Sequence, residues 1–68
     1  MPTIHVDGPE LKDRAAKRRL VEACTQAAAE SYGLPASTVV VLLREYSPEN
    51  VGVGGALMAD RFSEREQA

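Results

Sequence analysis

The chain has 68 residues, a formal net charge of −2, one histidine and one cysteine. A single cysteine forms no internal disulfide, and with His5 alone beside it there is no ligand set for a structural zinc. The mixed charge and scarcity of aromatics argue against a nucleic-acid binder that works by neutralising phosphates.

No apolar run approaches the roughly 20 residues of a membrane span. The N-terminus has neither the basic nor the apolar region of a signal peptide, so a cytoplasmic protein is expected. A chain this short buries only about 60% of its unfolded surface. With no disulfide or metal to staple it, oligomerisation is the remaining route to stability.

Met1 is followed by a small residue, so its removal is expected. That would leave Pro2 as a free secondary amine. An α-amino group titrates at about 7.7–8.0, within reach of neutrality given modest burial or a nearby cation.

Pro2 to Asp7 alternates, with Ile4 and Val6 on one side and Thr3 and His5 on the other, which predicts a short strand. Asp7-Gly8-Pro9 reads as a turn. A helix is predicted from about Glu10 to Tyr32, with Glu10 and Asp13 in its first turns, where the helix dipole favours acid. Its buried stripe is Ala16, Leu20, Cys24, Ala27 and Ala28, with Ala23 and Val21 at the margins. Gly33 suits the C′ position, and Pro35 prevents continuation.

Thr38 to Tyr46 reads as a second strand, apolar on both faces: Val39, Val41 and Leu43 on one, Val40 and Leu42 on the other. Strand, helix and strand make a βαβ unit with parallel strands. Its one helix covers one sheet face, so the other face calls for a second copy of the chain. Ser47 to Asn50 is a turn. Val51-Gly52-Val53-Gly54-Gly55 predicts a small hairpin or bulge. Ala56 to Gln67 reads as a charged tail with a turn of helix, mobile from about residue 62. The whole chain, 1–68, is taken as one α+β domain.

The order of Met-Pro, short strand, long helix, proline-led strand ending in Glu45, and Asn50-Val51-Gly52-Val53-Gly54-Gly55 resembles the small subunits of the tautomerase superfamily, of the 4-oxalocrotonate tautomerase type. The resemblance covers residues 2 to about 61. It implies a β-α-β subunit that pairs into a four-stranded sheet, with dimers assembling as a homohexamer. It implies a cofactor-independent isomerase in which Pro2 is the general base, moving a proton within an unsaturated 2-oxo acid. Within the same superfamily, dehalogenases and hydratases use a cationic proline, and a subunit that keeps the fold without the chemistry is a further alternative.

Carried over position by position, the resemblance places Pro2 on the catalytic proline. The helix-start arginine falls at Lys12, with Arg14 two residues on; a lysine is a point charge without the guanidinium fork that suits a carboxylate. The strand arginine falls at Val40. Arg44, four residues along the same strand and on the same face as Val40, is the candidate substitute. The phenylalanine of the glycine stretch falls at Val51. Substrate binding is thus assigned to Arg44, Lys12, Arg14, Val40 and Val51. His5 is read as an interface or surface histidine, Cys24 as a small buried hydrophobe, and Tyr46 as a strand-end packing residue.

Overall fold

The structure is a computed structural model that describes residues 1–67, with side chains through residue 62. Strand β1 (Thr3–Pro9) leads to helix α1 (Arg14–Tyr32). A 3-10 turn (Ala36–Thr38) then leads into β2 (Val40–Tyr46). A second 3-10 turn (Pro48–Asn50) precedes a hairpin of β3 (Gly52–Val53) and β4 (Ala56–Leu57), and helix α2 (Met58–Gln67) closes the chain.

β1 and β2 are parallel, in a register running from Thr3 opposite Val40 to Pro9 opposite Tyr46. The ladder begins where the Val40 N–H donates to the Pro2 carbonyl at 2.9 Å. Asp7-Gly8-Pro9 is therefore strand and not the expected turn: it pairs with Arg44, Glu45 and Tyr46. Proline is tolerated at a strand end, where its missing N–H breaks no interior ladder bond.

α1 begins at Arg14, later than the expected Glu10, because Asp13 is a better cap than a first-turn residue. Its Oδ1 accepts the Ala15 N–H at 3.0 Å. Glu10 and Leu11 instead turn the chain, and the Leu11 N–H donates to the Glu45 carboxylate. At the other end, Gly33 takes the left-handed conformation, φ 65°, and its N–H donates to the Ala29 carbonyl. β2 begins at Val40, later than the expected Thr38, whose hydroxyl is drawn into the preceding turn by donating to the Pro35 carbonyl at 2.7 Å.

The β3–β4 turn is Gly54-Gly55, at φ 59° and 83°. Two successive positive φ angles match the right-handed twist of a tight hairpin, and glycine adopts them without steric cost. The segment expected to be a charged tail contains β4 and all of α2. The expected mobility of the terminus falls on side chains outside the described residues.

α1 packs on the sheet face carrying Ile4, Val6, Val41 and Leu43, all half-buried. The helix side of the contact is Ala16, Leu20, Cys24 and Ala28, joined by the half-buried Val21 and Thr25. Ala23 and Ala27, expected on or beside the stripe, are exposed. A helical period of 3.6 residues carries the row through steps of four and turns positions 23 and 27 away.

Among the described residues, Ala28 alone is buried, at 8% exposure. The second sheet face carries Leu42, which is 44% exposed, together with Tyr46 and Val40, and among the described residues no element of one copy covers Leu42. The accessible surface is 5268 Å², whereas a self-contained monomer of this size exposes about 4,200 Å². The radius of gyration is 16.0 Å, against about 11 Å for a compact domain of this length. The β1–β2 sheet and α1 thus form an open slab, extended by the hairpin and α2. Among the described residues, no helix is long and apolar enough to cross a membrane.

Candidate active site

Pro2 immediately precedes β1 and is half-buried, beside the start of β2. Its carbonyl is held by the Val40 N–H, so backbone and ring are fixed together. Strand alternation puts Pro2 on the helix side of the sheet with Ile4 and Val6. Val40, one of the assigned binding residues, adjoins Pro2 through its backbone N–H, while its side chain lies with Thr3 and Leu42 on the opposite, open face.

The assigned cations lie elsewhere. Arg44 pairs with Asp7 across the ladder, five residues along β1 from Pro2 and so roughly 16 Å away at about 3.3 Å per residue. Lys12 and Arg14 follow the same end of β1 and are exposed. The other basic residues of α1, Lys17, Arg18 and Arg19, sit in its first turns, and none occurs from Leu20 to Tyr32. α1 runs back from the cation end to the Pro2 end. Among the described side chains, one copy therefore has a Pro2 end without basic residues and a cation end without Pro2.

Arg44 lies on the open sheet face within a polar network. Its Nη2 contacts His5 Nδ1 at 2.8 Å, and its Nη1 lies 3.8 Å from Asp7 Oδ1. The Tyr46 hydroxyl donates to the same Asp7 oxygen at 3.0 Å. A guanidinium has only donors, so His5 accepts through Nδ1 and carries its proton on Nε2. His5 is an exposed member of this network, and Tyr46 is both a packing residue and a hydrogen-bond donor.

Beside the network, at the end of the ladder, lies an apolar cavity of about 250 Å³ lined by Gly8, Pro9, Tyr46, Pro48, Val51, Met58 and Phe62. It forms because the Met58 N–H donates to the Val51 carbonyl at 2.8 Å, which folds α2 back across the strand ends. Arg61 fastens the hairpin by donating to the Val53 carbonyl at 3.2 Å. Val51 is thus placed with Arg44 and Lys12 at the cation end. Met58 and Phe62 escape a reading of the tail as solvated charge. The available signal was their i, i+4 spacing, which puts both on one helix face.

Glu45 faces the helix side and braces this end. Its carboxylate takes Lys17 Nζ at 2.7 Å and the Leu11 N–H. These contacts, Lys17 first, hold the carboxyl below its ordinary value of 4.5. A carboxyl depressed in the folded state stabilises it fully above the ordinary range and loses that contribution as pH falls through the lowered value. Glu45→Gln is therefore expected to lose less stability than the wild type on acidification below pH 4.5. Urea midpoints followed downward from neutrality measure this.

Among the described residues, no three His, Cys, Asp or Glu side chains are grouped to hold a metal ion. The groups described at the two ends are the Pro2 ring, the Arg44, His5, Asp7 and Tyr46 network, the Lys12 ammonium and hydrocarbon walls.

A family model described as tautomerase enzyme matches residues 2–61, so the match begins at Pro2. A probable tautomerase of Bacillus cereus is 33% identical over 61 residues, which span 90% of this chain and 100% of that protein. The crystal structure of DmpI from Archaeoglobus fulgidus is 49% identical with a TM-score of 0.78, over 87% of this chain and 100% of that one. A heterohexamer 4-oxalocrotonate tautomerase from Chloroflexus aurantiacus is 28% identical with a TM-score of 0.78, over 88% of this chain and 97% of its own.

Proposed function

The chain belongs to the tautomerase family, and on that premise we propose that it is a cofactor-independent isomerase of unsaturated 2-oxo acids, with Pro2 as general base once Met1 is removed. The observation that carries this reading is the position of Pro2. It is the first residue of the family match and is fixed to the start of β2 through its carbonyl. A general base must be unprotonated at working pH and within hydrogen-bond reach of the proton it takes. A strand-end proline has almost no freedom, and burial, which is partial at Pro2, disfavours the ammonium form.

In the ketonisation direction, the Pro2 nitrogen takes the enol O–H proton as the C=O bond forms, and the resulting Pro2 cation returns a proton to carbon. The reaction is an isomerisation with no net gain or loss of atoms. Arg44, with Lys12 and Arg14 beside the same cavity end, binds the carboxylate and polarises the 2-oxo group. Val51 supplies the apolar wall, and Val40 holds Pro2 in place through its backbone N–H.

The separation of amine and cations within one copy supports a site completed by a second copy. The open sheet face and the excess surface support a homo-oligomer. A hexamer built of dimers is the assembly we propose, in keeping with the heterohexamer known for the Chloroflexus relative. The test is kinetic. Protein shown by intact mass to lack Met1 should ketonise phenylenolpyruvate or 2-hydroxymuconate above the buffer rate, and Pro2→Ala should remove about 10²-fold or more of that rate. A Pro2→Ala variant with full activity would remove Pro2 from the mechanism.

A further inference from the structure

The cavity at the cation end bears on which acid the site takes. Its volume is about 250 Å³. A hydrocarbon-lined cavity of about 150 Å³ accepts a benzene molecule, and sites for whole drug-sized ligands run to about 300–1,000 Å³. There is room here for one phenyl ring or branched alkyl group. Val51, Met58, Phe62, Pro9 and Pro48 offer a carboxylate no donor side chain. Among the described residues, the one polar side-chain group on the wall, the Tyr46 hydroxyl, already donates to Asp7. The cations stand together at one side: Arg44 through its Asp7 and His5 network, and Lys12 after the end of β1. One carboxylate therefore finds a charge partner, while a second at the far end of the molecule meets, among the described residues, uncharged wall.

We infer that this protein takes 2-oxo acids with a single carboxylate and an apolar aryl or branched-alkyl substituent, seated in the Val51–Met58–Phe62 cavity, in preference to dicarboxylates. The inference rests on the isomerase reading above. A side chain from a second copy is the competing occupant of the cavity.

The test uses the assembled full-length protein. The ratio of kcat/KM for phenylenolpyruvate, which has one carboxylate and a phenyl ring, to that for 2-hydroxymuconate, which has two carboxylates, should be about tenfold or more, the range for a fitted apolar pocket. In calorimetric titration, 3-phenylpropanoate should bind about tenfold more tightly than hexanedioate. Met58→Trp, which fills the cavity, should weaken 3-phenylpropanoate and raise the KM for phenylenolpyruvate. Val51→Leu, a smaller intrusion into the same wall, should do so to a lesser degree. Preference for the dicarboxylate in turnover would overturn the cavity assignment alone. So would 3-phenylpropanoate binding that neither variant changes, or a Met58→Trp variant that falls apart into smaller species while the wild type binds no 3-phenylpropanoate. Turnover of neither enol, with 3-phenylpropanoate still bound about tenfold tighter than hexanedioate, would overturn the isomerase reading and support the cavity assignment.

Discussion

Protein that keeps Met1 is expected to ketonise enolised 2-oxo acids no faster than buffer, although its fold is unchanged. Acylation converts the Pro2 nitrogen from a secondary amine into an amide, which has no basicity near neutral pH. General acid–base catalysis contributes about 10²–10⁴-fold, and all of that contribution depends on the free amine. The fold is indifferent to the difference: Met1 is 87% exposed, and Pro2 is anchored by its carbonyl, not its nitrogen. A preparation with mixed N-termini should therefore show activity proportional to the fraction that intact mass reports without Met1. Circular dichroism and oligomer size should stay constant across that series. Activity independent of the fraction would show that the amine is not used.

The second large effect is expected at Leu42, far from the reacting atoms. Leu42 is the central apolar residue of the open sheet face, paired with His5 and 44% exposed in one copy. Two residues on, Arg44 projects from the same face. Leu42→Lys would place a second cation beside it and force an unpaired charge into any contact made by this face. An unpaired buried charge costs about 3–5 kcal/mol, and about 1.4 kcal/mol is a tenfold change in an equilibrium constant. Dissociation constants should therefore rise by about 10²-fold or more. Because the proposed site needs a second copy, activity should fall together with assembly. Sedimentation and kinetics on one dilution series should give superimposable curves. Since folding and association are linked in a chain with this little core of its own, the wild-type melting temperature should rise with protein concentration.

Much of the fold was legible in the sequence because its signals are local. Strict alternation from Thr3 to Val6 gave β1, a run apolar on both sides gave β2, and Gly33 marked the helix end. The glycine stretch pointed to a hairpin, and Gly54-Gly55 is its turn. The departures lie where a distant partner decides. Asp7-Gly8-Pro9 has turn chemistry, but Arg44, Glu45 and Tyr46 across the ladder hold it as strand. Leu11 belongs to the chain reversal and not to the helix because Glu45, far along the chain, accepts its N–H.

The site was legible in part. Pro2 announces itself through its position in the chain. Strand parity correctly set Arg44 on the face of Val40. It could not reveal that Arg44 and Pro2 occupy opposite ends of one copy, because that depends on the register between strands. Met58 and Phe62 were hidden in a segment whose charge drew more notice than its spacing.

The central claim is that the amine and the cations of one site come from different copies, and subunit complementation tests it most directly. Pro2→Ala supplies intact cations, and an Arg44→Ala, Lys12→Ala variant supplies an intact amine. Each alone should be nearly inactive. Denatured together and refolded as mixed oligomers, they should regain a substantial fraction of wild-type activity, because some interfaces then join an intact Pro2 to an intact Arg44. A mixed oligomer, verified by mass, that is no more active than its two parents would contradict the account.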